Sequence, residues 1–421
     1  MNAGKNGISN PVWKAGGVLV WGLPLLAISI MVLLKPASRS VTPVYHDEVA
    51  LWFHQQTLHL FYFPQFALLF APFHLLPPPL GDIAWRAAAA GGLGFGLYIL
   101  LRSSFQSSDW RAFALVSLAA MPLTLGAVRN GQANAQLAAA LVLTAACLLQ
   151  QRWSLGTFFL MIAIACKPLG LAAAGLAFVV FPKMRLRIPA GIFLLFALPF
   201  LFGPPAYVAG QIAASVQRLK QCETVSESRY STQAHLPSGQ NDVTLSPTAQ
   251  GAALSPKADI SGLFIHLGIP FTGFPATFTR AVAGLLMAAV CWLMAGRGDK
   301  LLSVSVWFTA STVWLMLFNP MTETNSYVIL APVFGWWIWY FVEKGKLRLA
   351  WTLAILCLSM PLLHNVAHPL LGGPSANKFA DALFPTVTLI FATIIGRELR
   401  RVYASSKKDM ANELLPQENQ V

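Results

Sequence analysis

Charge is scarce in this sequence. Only 11% of its 421 residues are Asp, Glu, Lys or Arg, under half the share of an ordinary soluble domain, and a water-soluble globular fold is not expected from so little polar material. Cysteine is sparse too. Of the five, Cys147, Cys166, Cys291 and Cys357 lie in apolar runs and only Cys222 lies in a polar stretch, so neither a disulfide framework nor a thiolate metal site can be assembled. There is no dinucleotide fingerprint, Walker loop, nucleophile elbow or H-E-x-x-H helix, which removes the nucleotide-cofactor and soluble-hydrolase classes. Repeats of 20 to 50 residues and inverted halves are also lacking. The formal net charge of +13 has no basic run interleaved with stacking aromatics, so nucleic acid is not expected as a partner.

What is present is apolar: 56% of the chain. Stretches such as Gly17 to Leu34, Ala133 to Leu149, Ser305 to Phe318 and Tyr327 to Val342 carry almost no charge and approach the ~20 residues that cross a bilayer core as a helix. The reading is an all-α polytopic membrane protein with about 12 transmembrane helices. These begin near Gly17, Trp85, Arg111, Ala133, Leu155, Gly170, Pro189, Phe278, Leu301, Ser326, Leu349 and Phe379. The first is a retained helix, not a cleaved signal peptide. Leu155 to Cys166 and Gly170 to Phe181 are too short to cross untilted, and suggest broken helices packed against protein, with Lys167 and Pro168 at their junction.

Basic residues set the sidedness. With both termini cytoplasmic, the inside connections carry Arg102, Arg111, Arg152, Lys183, Arg185, Arg187, Arg297, Lys300, Lys344, Lys346 and Arg348, and the tail adds Arg397, Arg400, Arg401, Lys407 and Lys408, as the positive-inside rule requires. Four parts follow. Residues 1–203 form an N-terminal transmembrane module with a first periplasmic loop at 35–84, and 204–277 form a second outside segment. Residues 278–396 form the C-terminal helices, and 397–421 the basic cytoplasmic tail. In the outside segments, Tyr45 to Gln56 and Pro205 to Cys222 read as interfacial helices, and Ser226 to Lys257 as a mobile stretch.

The same map sends the unusual polar residues to the outer side, where ionisable groups at a membrane edge are costly unless used. A shared outward-facing cavity is expected. Asp47 or Glu48, in the first loop, suits a general base, and His46 is a second possible one. Arg129 offers a bidentate fork and Lys167 a compact charge, a pair suited to a phosphodiester at headgroup level. Asn130, Gln132 and Asn134 offer the mixed donors and acceptors that sugar hydroxyls need. Glu323 pairs with one of the cations, contacts a sugar, or caps the following helix, and Asn325 stands beside it. His364 and His368 read as loop histidines between Pro361 and Pro369.

The run from Phe61 to Pro77, followed by Asn130-Gly-Gln-Ala-Asn134 and then Lys167-Pro168, resembles the ordered signatures of glycosyltransferase family 87, integral membrane transferases of GT-C fold of the polyprenyl-phosphate-mannose type. Gln65 stands where the family carries a second proline, and Asn319 to Tyr327 replaces a histidine-bearing motif, so the late-loop role passes to Glu323 or Asn325 and the sugar, mannose or another hexose or pentose, stays open. The resemblance implies a bacterial inner membrane enzyme with a periplasmic active site and an inverting transfer to a lipid or glycan acceptor. The donor would be a polyprenyl-phosphate-linked sugar, with membrane lipids around the bundle. It implies Asp47 as catalytic base with Glu48 beside it; the residue chemistry above then places Arg129 and Lys167 on the donor phosphate, and His46, Asn130, Gln132, Asn134, Glu323 and Asn325 around sugar and acceptor. No cofactor and no metal is required by such a reaction. The alternative from another class is a polytopic transporter or lipid-carrier flippase, which tends to show paired halves and charged residues on both sides.

Overall fold

The computed structural model describes residues 11–36, 40–60, 62–105, 110–233, 258–269, 271, 273–295, 299–319 and 322–413. Among them every regular element is helical. Eight helices are long and apolar enough to cross a membrane: Pro11–Leu34 (α1), Pro78–Ser104 (α4), Trp110–Asn130 (α5), Pro182–Leu201 (which contains α9, Arg187–Ala197), Gly273–Ala295 (α12), Lys300–Phe318 (α13), Leu347–Leu371 (α15) and Ser375–Ser405 within α16 (Gly373–Glu413). The four other expected spans are shorter: Ala133–Leu149 (α6), Trp153–Cys166 (α7), Gly170–Val180 (α8) and Ala331–Glu343 (α14). Helix starts agree with the sequence pattern to within seven residues, but about 12 full crossings becomes eight plus these shorter pieces.

The shortness has a physical basis. α6 is rich in alanine and buried on nearly every side between α4 and α7, so its backbone meets protein rather than lipid. α7 and α8 form an elbow at Lys167-Pro168. Lys167 takes the extended backbone that a following proline demands (φ −154°, ψ 141°). A Cβ on Gly170 would stand 2.7 Å from the backbone of Ala163, so only glycine lets α8 begin so close to α7. In α15 the helix continues through Pro361 and Pro369. His364 and His368 therefore lie on a helix, not in a loop.

Besides the shorter spans, four α-helices among the described residues lie outside the candidate spans, one of them the short Ile260–His266 (α11). Thr42–Phe53 (α2) and Pro64–His74 (α3) each place proline in the first turn, where its missing N–H costs nothing. They pack on α4 through Tyr45, Phe66, Phe70 and Trp85, with ring centroids of 4.7 Å for Tyr45–Phe66 and 5.0 Å for Phe70–Trp85. The third, Pro205–Gln233 (α10), buries a stripe of Val208, Gln211 and Ser215. This stripe faces the loop between α2 and α3. Gln211 Oε1 accepts from Leu58 N (3.1 Å), Ser215 Oγ donates to Tyr62 O (3.1 Å), Tyr207 OH donates to Gln56 O (2.8 Å), and Arg218 donates to Leu58 O. The expected interfacial helix is thus a clamp on the first loop. Residues 234–257, which include most of the stretch expected to be mobile, lie outside the described residues.

Glu48 belongs to this clamp. Its side chain is buried, and its Oε1 accepts from His59 N (2.7 Å) and Leu60 N (3.0 Å). Expected beside Asp47 as a second catalytic acid, it is instead an anchor for the loop. Burial pushes its pKa above the ordinary carboxylate value, against the two amides that pull it down.

Two outcomes follow. Gly131 has φ +67°, and a Cβ there would meet Thr42 Cγ2 at 2.7 Å and Arg86 Nη2 at 3.0 Å; Gly131→Ala is expected to cost roughly 1–3 kcal/mol of backbone strain and more in repacking, read as a lower Tm in detergent. For Glu48, the fold favours the protonated acid, so its ionisation removes stability as pH rises from the ordinary carboxylate value through the raised one. Glu48→Gln keeps the acceptor oxygen and is expected to flatten that pH dependence of Tm, whereas Glu48→Ala orphans two amides at roughly 1–3 kcal/mol each.

Candidate active site at one end of the bundle

The turn between α5 and α6 is the centre of the site. Gly131 reverses the chain, and its carbonyl accepts from Trp85 Nε1 (2.9 Å). Val41 N donates to Asn130 O (3.0 Å), tying the entry of α2 to the same turn. From this turn two side chains reach a segment about 190 residues away. Gln132 Nε2 donates to Glu323 Oε2 (3.3 Å), and Asn134 Nδ2 donates to both Gln132 Oε1 and Ser326 Oγ (3.2 Å each). Glu323 in turn opens the 3-10 helix Thr324–Ile329 by reciprocal capping with Ser326. Of its three expected roles the helix cap is the one seen, and the partner of its Oε2 is the Gln132 amide. Asn325 Oδ1 lies against Gly126 of α5, 2.6 Å from where a Cβ would stand.

Lys167 comes to the same end from the α7–α8 elbow. Its Nζ lies 5.9 Å from the centroid of the Tyr62 ring, and Glu323 is the carboxylate whose charge acts on it. Tyr45 joins the group by accepting from Ala133 N (3.3 Å). Lys167, Glu323, Gln132, Asn134, Tyr45 and Tyr62 thus converge from five segments. Arg129 is the penultimate residue of α5, just before the turn. Its carbonyl accepts two bonds from Arg86 (3.2 Å each), while its own Nε is buried with no hydrogen-bond partner among the described residues. Asn134 Oδ1 is likewise buried and unmatched. Both are groups with capacity left for a ligand.

A second cluster lies on the other side of α2. His46 Nδ1 meets His74 Nδ1 at 3.1 Å, and His46 Nε2 meets Asp82 Oδ1 at 3.2 Å. Arg86 Nη1 stands 3.9 Å from Asp82 Oδ2. His46, expected at the sugar, is therefore held by protein groups. Asp47 is exposed, and no hydrogen bond or ion pair to it is found among the described residues. It lies two residues beyond the inward-facing Tyr45, so α2 turns one toward Lys167 and Glu323 and the other away from them.

Three members of this second cluster, His74, Asp82 and Arg86, escaped the sequence reading. Asp82 and Arg86 did leave a signal: opposite charges four residues apart on an otherwise apolar span. His74 hid within the aromatic and proline run. His364 and His368 stand apart, with ring centroids 6.4 Å from each other and His364 packed on Phe384.

No curated protein matches the chain. Among solved structures, the oligosaccharyltransferase of Archaeoglobus fulgidus in its apo form is similar at 13% identity and a TM-score of 0.37, over 87% of this chain and 56% of that one. The chain thus spans a little over half the length of that protein. The model of glycosyltransferase family 87 matches residues 60–320, from the loop that carries Tyr62, through the Asn130 to Asn134 turn and Lys167, to the end of α13. With more than half of its length inside that match, this protein belongs to glycosyltransferase family 87.

Proposed function

We propose that this glycosyltransferase moves a sugar from a polyprenyl-phosphate carrier to an acceptor hydroxyl, with inversion, at the end of the bundle where Arg129, Lys167 and Asp47 lie, on the extracytoplasmic face. The observation that carries the reading is the gathering of Lys167, Glu323, Gln132 and Asn134 beside an Arg129 whose Nε has no hydrogen-bond partner among the described residues. A lipid phosphate is anionic, and its charge grows as the bond to the anomeric carbon breaks. Lys167 and Arg129 stabilise that charge where it develops. Gln132, Asn130, Asn134, Asn325 and Glu323 orient the sugar hydroxyls through their mixed donors and acceptors.

Inversion requires the attacking hydroxyl and the leaving phosphate on opposite faces of the sugar ring. A base paired with the phosphate-binding cations would be held ionised by them and would take up a proton poorly. Asp47, turned to the other face of α2 and with no cation paired to it among the described residues, suits proton removal from the acceptor, whereas Glu323, under the charge of Lys167, suits orientation. Tyr45 and Tyr62 supply apolar walls between the two ends.

The test uses the full chain in proteoliposomes with radiolabelled decaprenyl-phosphate mannose, glucose or arabinose and an envelope lipid and glycan extract. Label is expected on a second molecule. Asp47→Asn is expected to lower kcat by about 100-fold or more with donor KM held, and Lys167→Ala and Arg129→Ala to raise donor KM and lower kcat. Carrier movement across the bilayer with no new glycoside would instead identify a transporter, and full activity in Asp47→Asn would remove Asp47 from the mechanism.

A further inference from the structure

Lys167 carries its charge without an ion pair. Among the described residues no hydrogen bond or salt bridge to its ammonium is found; Glu323 acts on it through its field, and the group it lies against is the Tyr62 ring, with Nζ 5.9 Å from the ring centroid. That distance is within reach of a cation held on the negative face of an aromatic ring. The kind of partner matters for anion binding. A carboxylate would accept from the ammonium donors and cancel their charge, whereas a ring face attracts the cation and leaves both donors and charge to an incoming phosphate.

The ring is itself held from several directions. Its main chain is tied down by α10, where Ser215 Oγ donates to Tyr62 O (3.1 Å). Its hydroxyl shares a hydrogen bond with that of Tyr45, which in turn accepts from Ala133 N (3.3 Å) at the α5–α6 turn. Phe66 packs on the ring itself, with centroids 4.5 Å apart. The α10 clamp on the first loop and the turn that carries Gln132 and Asn134 therefore both end on this one side chain.

Resting on the reading of Lys167 as a cation for the donor phosphate, we propose that Tyr62 is a positioning residue whose ring face holds the Lys167 ammonium, charged and unpaired, at the α7–α8 elbow where the lipid-carrier phosphate binds. The extended backbone of Lys167 sets where the side chain starts, and the ring sets where it ends. A lysine stem is flexible, and ordering it only when the phosphate arrives would weaken binding. Tyr62 orders it beforehand.

The test reads the binding of decaprenyl phosphate, the anion left after transfer, by the full chain in nanodiscs, together with donor KM in proteoliposomes. Tyr62→Phe, which keeps the ring, is the reference. Its mono-, di- and trifluoro forms, introduced at position 62 by nonsense suppression, withdraw negative charge from the ring face at nearly constant size, and are expected to weaken binding by about 2-fold per fluorine. A ring with a merely structural role would give a flat series. Tyr62→Leu, without a ring face, is expected to bind about 10-fold more weakly than Tyr62→Phe and to raise donor KM with it. That loss should vanish in a Lys167→Ala background, where the ring has no cation to hold. Should Tyr62→Leu fold poorly, the fluorine series decides alone. A flat series, or a Tyr62→Leu loss that persists without Lys167, overturns the role of Tyr62 and leaves that of Lys167 standing. Decaprenyl phosphate that binds Lys167→Ala as tightly as the unaltered protein, or that the unaltered protein does not bind, overturns both.

Discussion

One buried guanidinium joins the two halves of the site. Arg86 is only 1% exposed, and a charge in that position is tolerated only when its donors are matched. Its Nε and Nη2 bond the Arg129 carbonyl, its Nη2 also bonds Ser40 Oγ, and its Nη1 bonds the Asp82 carbonyl. Three segments thereby meet at one side chain: the end of α5, the entry to α2, and the first turns of α4. The α5–α6 turn that carries Gln132 and Asn134 sits above it, and the Asp82–His46–His74 chain extends from its other side. Removing the guanidinium would leave the Arg129 carbonyl without these donors and loosen both clusters together, because neither is held by a continuous secondary-structure element.

Much of this arrangement was legible in the chain. Apolar length and the scarcity of charge mark the bundle, and the Asn130 to Asn134 and Asn319 to Asn325 segments stand out as polar in places where a short loop needs little polarity. The two segments meet through Gln132 and Glu323, while His46, His364 and His368, sent to the same side by the sequence, stand in other clusters. Glu48 was harder to read. Its neighbour Asp47 has the same chemistry and an adjacent position, and only the helical turn of α2 separates an exposed carboxylate from a buried one. Which amides the buried one would serve depends on a loop 11 to 12 residues further on, held by α10 from 150 residues away. No local pattern encodes that contact.

Arg86 was missed for a related reason. Read alone, an Arg near the start of an apolar span is a snorkelling residue whose charge reaches the interface. Most of its real partners are main-chain carbonyls, and a carbonyl has no residue identity to reveal it. The Asp82 spacing was the available signal, since an acid placed four residues earlier gives the pair a reason to stay in the protein rather than reach for water.

The same logic explains why α7 and α8 are two short helices. A continuous helix across Lys167 would satisfy every backbone group locally, but it would carry the ammonium on a helical face inside an apolar layer. Breaking the helix at Pro168 frees Lys167 to adopt an extended backbone and present its side chain at the end of the elbow, over Tyr62 and within the field of Glu323. The break leaves main-chain groups to be matched elsewhere, and the turn does so at once, with Lys167 N bonded to Ala163 O and Gly170 N to Lys167 O. Gly170 then lets α8 return against α7 without a gap. Cation placement, proline and glycine are thus parts of one device. Replacing Pro168 with a helix former would act on the site by allowing the helix to continue and turning Lys167 away from Tyr62, with no atom of the cluster itself removed.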